Sequence, residues 1–443
     1  IVLTIDADLQ RAAYQILEQH IAGIVADKII NAKTFDVENI NSTADIRIPI
    51  YDVYYAVIKN NVIDINAFSE DDAAENEKAV YSKYLEYKAN VYATLEKEFF
   101  EKKTVYNRLN LEFQNYHSDI ITLLKDKGIL NRALIDSKDS TQIAWATEEV
   151  ISIHDYLKYC ISKNWIDVSY LDLSGQYSDS EEIYNNLVEY ILQQLDENLE
   201  FSKKLYQYMI AGNDISGRQI CIILWDQDLI NVSEEKITGL RSGRINSYDF
   251  MIECISNLQI TPAQLSLEPC SASCVVTDVR SGDVLALVSY PSYDNNRLAN
   301  SADSKYLAKL NSDKSRPLWN YATQYRSAPG STFKMVSAVA AIEEDIVSLN
   351  DKLPCAGPFT KLTGTTHKCW IHPGGHGNLN VREAIANSCN NFFYEVGYRL
   401  SQNEEGYNAE LGIENIAKYA DVPESKETIR EELGIPKDAF YLL

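Results

Sequence analysis

The 443 residues are 45% apolar and 24% charged, the profile of a folded chain, which excludes disorder as its general state. Acidic residues outnumber basic ones by 64 to 41, and the net charge of −23 argues against a nucleic-acid partner, which requires a basic face. Eight cysteines are too few to staple a chain of this size, and no apolar run is long enough to span a bilayer.

The chain opens with "IVLTIDADLQRAAYQILEQ". This reads as a short strand, an Asp cap at Asp6 or Asp8, and an amphipathic helix with Leu9, Ala12, Ala13, Ile16 and Leu17 on one face. It begins in mid-pattern, so we read the chain as a piece of a longer protein. The lack of a membrane anchor in it then says nothing of compartment.

Residues 20–268 are helical in pattern and acidic. Residues 1–268 carry 24 basic against 43 acidic side chains, net −19, whereas 269–443 carry 17 against 21, net −4. "EKAVYSKYLEYKANVYATLEKEFFEKKTVYNRLNLEFQNY" and "SEEIYNNLVEYILQQLDENLEFSKKLYQYMI" place Tyr, Leu, Val and Phe at helical spacing. Pro49 and Pro262 are the only prolines before Pro269, which suits long helices. Trp145, Trp165 and Trp225 read as core anchors, and the tyrosine stripe as helix packing rather than a ligand surface. No repeat of fixed period is evident.

The texture changes at residue 269. "SCVVTDV" and "VLALVSY" flank "RSGD", a hairpin pattern, and "YPSYDNN" ends the second strand with turn formers. "SAPGSTFKMVSAVAAIEE" then has the punctuation of a helix start, followed by a run that is apolar all round and reads as a buried helix. Ser331 and Lys334 stand at i and i+3, so both emerge on one face near its N-terminus. A serine hydroxyl needs a base to become a nucleophile, and a lysine kept from water has a lowered pKa and can be that base. The bland alternative is a capping serine beside a lysine that snorkels. "AIANSCNNFFYEVG" adds Ser388-Cys389-Asn390, an S-x-N motif after the S-x-x-K.

With both motifs on the page, the chain resembles the class B penicillin-binding proteins. The resemblance is carried by "LTIDADLQRAA", "VVTDVRSGDVLALVSYPSYDNN", "YRSAPGSTFKMVSAVAAIE" and "HGNLNVREAIANSCNNFFYEVG", in the family's order. It implies an α/β (α+β) transpeptidase fold: an antiparallel sheet packed by helices, with the Ser331 helix buried at its centre. It divides the chain into the start of the transpeptidase domain (1–19), an additional mainly α-helical inserted domain (20–268), and the continuing transpeptidase domain (269–443). It implies a serine D,D-transpeptidase that cross-links peptidoglycan stem peptides and is acylated by β-lactams, without a cofactor for catalysis. Ser331 would be the nucleophile and Lys334 its base. Ser388 would relay a proton to the departing D-Ala, and Asn390 would bond Lys334 and the substrate amide. The Ser331 backbone N–H would supply half of the oxyanion hole. It also implies the extracytoplasmic face of a bacterial cell membrane, with an N-terminal anchor outside this chain.

Two features depart from the family pattern. Its K-[ST]-G motif does not follow S-x-N here, so the C-terminal part of the domain is expected beyond Leu443, and this piece is expected to acylate poorly. "KLTGT" at 361–365 reads as a decoy. The helical insertion is either a docking module for cell-wall synthesis or division proteins or a lineage-specific addition. A D,D-carboxypeptidase, a β-lactamase, a β-lactam sensor and an inactive scaffold are the competing functions. "TIDADLQ" favours the transpeptidase over the other two enzymes.

Between the two motifs stand Cys355, Cys369, His376 and Cys389, and three thiols with an imidazole form a common structural zinc set. His367 and His372 are alternative ligands. A Cys355–Cys369 disulfide and inert buried thiols compete with the metal.

Overall fold

A computed structural model describes residues 3–37, 45–172, 179–326, 328–362 and 367–420. The chain forms two compact units, Ile1–Gln324 and Tyr325–Leu443.

The first unit starts with the helix Ala7–Lys28. Asp6 caps it, its carboxylate accepting from the Asp8 and Leu9 N–H groups. The segment before the helix is not an assigned strand. It nevertheless lies along Val284–Tyr290: the Thr4 hydroxyl donates to Val284 O at 2.6 Å and Asp6 N–H to Leu285 O at 2.9 Å. The buried face is Ile21, Ala22, Val25 and Ala26, not the expected one, and Ile16 is 68% exposed. The helix runs on past residue 19 and packs its second half against the helical block. That block, not the first turns, supplies the apolar cover.

Ala272–Thr277 pairs antiparallel with Val284–Tyr290, closed by the expected turn with Asp278 N–H donating to Asp283 O at 2.9 Å. Gln10 ties the hairpin to the first helix by exchanging two bonds of 2.8 Å with Leu287, as a neighbouring strand would. These contacts hold the hairpin in the first unit, so the compact units part at 324/325 rather than where the texture changes at 269.

Between helix and hairpin lies a block of helices around one continuous core. The two long helical patterns are each interrupted. Glu75–Lys97 passes into the π-turn Glu98–Lys102 and ends at Lys103 in the left-handed region, and Leu111–Asp126 starts afresh under an Asn110 cap. Ser180–Asp196 gives way to Leu199–Gly212 at the Asn198 cap. Side-chain oxygens of Asn, Ser and Asp offer helix starts that apolar periodicity does not register. The tyrosines are core: Tyr84 and Tyr206 stack with centroids 4.6 Å apart, and Tyr116, Tyr156 and Tyr184 are fully buried. Trp145 and Trp165 are buried, and Trp225 packs against the same core.

A period also emerges that the sequence reading did not find. Asn213, Asp228, Gly243 and Leu258 hold left-handed φ at 15-residue intervals, each just beyond a helix. Two residues after each comes an isoleucine: Ile215, Ile230 and Ile260 are buried, and Ile245 packs against the core. Then a cap, Ser216, Ser233, Asn246 or Thr261, starts the next helix. Four different residues occupy the left-handed position, and only the isoleucine two positions on marks the period in residue type.

In the second unit, a 3₁₀ turn over Gly330–Phe333 runs into the helix Lys334–Glu343. Two antiparallel ribbons follow, Leu353–Cys355 with Gly377–Leu379 and Pro358–Phe359 with His367–Lys368. Val381–Ala386, Asn390–Leu400 and Ala409–Ala420 complete the helices. The expectation of a helix buried on all sides is corrected: Ala338, Ala340 and Ala341 are buried, but Met335 is 58% and Val339 49% exposed. Alanines allow the close approach of the neighbouring helices on one side. Among the described residues nothing covers the other. No helix of the described residues is long and apolar enough to cross a membrane.

Candidate active site and metal centre

The four residues of the two motifs meet in the second unit. Ser331 sits in the 3₁₀ turn and Lys334 opens the helix, so one turn of backbone presents both. From the other segment, Val381–Ala386 ends at Asn387, Ser388 turns into the left-handed region at φ 46°, and Asn390 opens the next helix with Cys389 as its N-cap. The Ser388 hydroxyl donates to Ser331 Oγ at 3.0 Å. Lys334 Nζ donates to Ser388 Oγ at 3.0 Å, to the Ser388 carbonyl at 2.7 Å and to Asn390 Oδ1 at 2.6 Å. A continuous chain thus joins Ser331 to Lys334 through Ser388. Sequence reasoning had Lys334 act on Ser331 directly.

Burial holds the Lys334 ammonium below its ordinary pKa of 10.5, opposed by the Cys369 and Cys389 thiols. The Phe393 ring supplies one apolar wall, 5.9 Å from Nζ. A lysine drawn toward neutrality, bonded to one serine that bonds another, can accept a proton from a nucleophile.

"KLTGT" stands apart from this cluster. Lys361 donates to Glu395 Oε1 at 2.7 Å, and Glu395 also accepts from Arg399 at 2.8 Å. These two cations keep the Glu395 carboxyl below its ordinary range against the pull of burial. Thr363 to Thr365 of that stretch lie outside the described residues.

The four candidate metal ligands also come together: Cys355, Cys369, His376 and Cys389 each offer an atom within 4.8 Å of the others. The ribbon register sets Cys355 opposite Gly377, next to His376, and Cys369 follows the strand His367–Lys368. Gly375 permits the approach: a Cβ there would lie 2.2 Å from the Cys355 carbonyl oxygen. His376 Nδ1 is 3.6 Å from Cys355 Sγ and 3.5 Å from Cys369 Sγ, and Cys369 Sγ is 4.0 Å from Cys389 Sγ. Tetrahedral zinc, with bonds of about 2.3 Å to sulfur and about 2.05 Å to nitrogen, sets S···N near ~3.6 Å and S···S near ~3.8 Å. The residues therefore fit the metal. The cysteines are unbridged. Burial raises the Cys369 thiol, but backbone N–H groups of Asn391, Ile371 and Asn390 outweigh it and leave it below the ordinary value. Burial pushes Cys389 up to about 12. His367 is outside the set and packs on the Tyr394 ring at 5.2 Å, and His372 is outside it too.

A serine, a lysine, a second serine and an asparagine gathered at the head of an apolar helix form a constellation that can activate a hydroxyl for acyl transfer. Residues 272–426 match the model of the penicillin-binding protein transpeptidase domain. The chain is 40% identical over 152 residues to the peptidoglycan D,D-transpeptidase MrdA of Escherichia coli K12, covering 32% of this chain and 24% of that protein. It is 36% identical over 135 residues to the peptidoglycan D,D-transpeptidase PbpA of Mycolicibacterium smegmatis, covering 29% and 27%. A solved penicillin-binding protein, PBP2 from Helicobacter pylori, aligns with TM-score 0.30 and 28% identity over 34% of this chain and 26% of that one. The chain thus spans about a quarter of the length of the relatives it matches.

Proposed function

We propose that this chain carries part of the acylating site of a peptidoglycan D,D-transpeptidase, with Ser331 the nucleophile. The observation that carries the reading is the bonded chain from Ser331 through Ser388 to Lys334. In this reading the neutral Lys334 takes up the Ser331 proton along that chain as Ser331 Oγ attacks the penultimate D-Ala carbonyl of a stem peptide. The C–N bond to the terminal D-Ala then breaks, and the proton returns through Ser388 to the leaving nitrogen. Asn390 fixes the Lys334 amine through its carboxamide oxygen. A β-lactam presents the same carbonyl chemistry, but its leaving nitrogen stays tethered, so the acyl-enzyme persists. The named relatives are peptidoglycan D,D-transpeptidases of bacteria, which supports this substrate class and the outer face of a bacterial membrane as the place of action.

Zinc bound by Cys355, Cys369, His376 and Cys389 would supply a structural cross-link. Cys389 lies between Ser388 and Asn390, so the four ligands would pin the turn that presents both. Incubation of the full-length protein with a fluorescent penicillin tests the reading. A stable adduct mapped by mass spectrometry to Ser331 is expected. Rapid turnover would make it a β-lactamase, and absence of an adduct a scaffold.

A further inference from the structure

Ser388 occupies a conformation that serine disfavours. At φ 46° its Cβ crowds the backbone, which is why glycine usually takes the position after a helix. Such a residue persists only where its surroundings over-determine it. Two restraints are already described, the Lys334 bond to the Ser388 carbonyl and the Cys389 thiol in the metal cluster. A third belongs to neither. The Trp370 indole N–H donates to the carbonyl of Asn387, immediately before Ser388, at 3.1 Å. That carbonyl is one of the orphans at the end of Val381–Ala386. The helix is closed by Ser388 N–H to Ile385 O and Cys389 N–H to Ala384 O.

Trp370 is otherwise a costly choice. The residue is 64% exposed, although indole ranks among the groups most favoured by burial. Among the described residues its ring meets His376 edge-on, centroids 5.4 Å apart. It therefore bridges the loop bearing Cys369 and His376 to the backbone that sets the catalytic turn. We propose that Trp370 is a positioning residue: its N–H fixes the Asn387–Ser388 peptide and so aims the Ser388 hydroxyl at Ser331. This rests on the acyl-transfer reading above.

The test is Trp370→Phe, which keeps a ring and deletes the donor, beside Trp370→Ala, both in the full-length protein. One net hydrogen bond corresponds to about three- to tenfold. The acylation rate constant for a fluorescent penicillin should fall by about that factor in Trp370→Phe, with pre-acylation affinity unchanged within about twofold. Amide hydrogen exchange at Ser388 and Cys389 should quicken by a similar factor, with melting temperature and zinc content held. Wild-type exchange in Trp370→Phe, or impairment in Trp370→Ala alone, would overturn the proposal. So would loss of metal in parallel with rate. If the wild-type protein forms no adduct at all, the acyl-transfer reading fails, and the exchange experiment still decides whether Trp370 holds the turn.

Discussion

Replacing Ser388 by glycine should separate stability from chemistry. Glycine relieves the left-handed backbone, worth roughly 1–2 kcal/mol. It gives back about 0.5–1 kcal/mol in unfolded-chain entropy. The two side-chain hydrogen bonds of Ser388 are half-exposed and contribute about 0.5–1.5 kcal/mol each at most. The strain relief offsets most of the loss, so Ser388→Gly should be destabilised by about 1 kcal/mol at mid-range and by no more than about 3 kcal/mol. Lys334 keeps its bonds to Asn390 and to the residue 388 carbonyl, so the amine stays in place. What disappears is the hydroxyl between it and Ser331. A positioned proton-transfer group is worth about 10²- to 10⁴-fold. The assay is quenched-flow labelling with a fluorescent penicillin, with unfolding followed in parallel. Acylation within a few-fold of wild type would refute the relay. Unfolding at room temperature would refute the strain argument.

The rate of acylation should rise with pH through an inflection below 10.5, because burial depresses the Lys334 pKa and only the neutral amine accepts a proton. Asn390→Asp would set a carboxylate against Nζ, favour the ammonium and move that inflection to higher pH; an unmoved pH–rate profile counts against Lys334 as the base. Protein purified without added metal should contain one zinc per chain by atomic emission, and Cys389→Ser should lower both zinc content and acylation rate; metal-free protein with full acylation would retire the centre. In the helical block, Ile260→Ala should cost about 2–5 kcal/mol by chemical denaturation. Gly243→Ala, at φ +79°, should also destabilise, whereas a neutral result would contradict the conformational repeat.

The hairpin at 272–290, the Asp6 cap, the tyrosine core and the two clusters of candidate site residues were legible because each is written in residue type. Turn formers, short polar caps, thiols and the spacing of Ser331 and Lys334 are chemical signals. What escaped was written in conformation or in long-range packing. The 15-residue period is marked in residue type only by Ile215, Ile230, Ile245 and Ile260, and the left-handed φ before each is adopted by Asn, Asp, Gly and Leu alike. The side on which the Lys334–Glu343 helix is covered depends on partners far along the chain, so an apolar run alone overstated its burial. Trp370 escaped because a single tryptophan beside a cysteine carries no motif, although its place between two candidate ligands, Cys369 and His376, was a signal available to a closer reading.

Gln10 and Leu287 exchange their bonds across a sequence separation of 277 residues. At ordinary synthesis rates, roughly 15–55 s separate the emergence of one partner from that of the other. During that interval the opening segment has no strand to lie against, while the entire helical block emerges. The block must then deliver its two ends side by side before the hairpin can close over them. An excursion of this length is tolerable to the fold only because it returns to where it left.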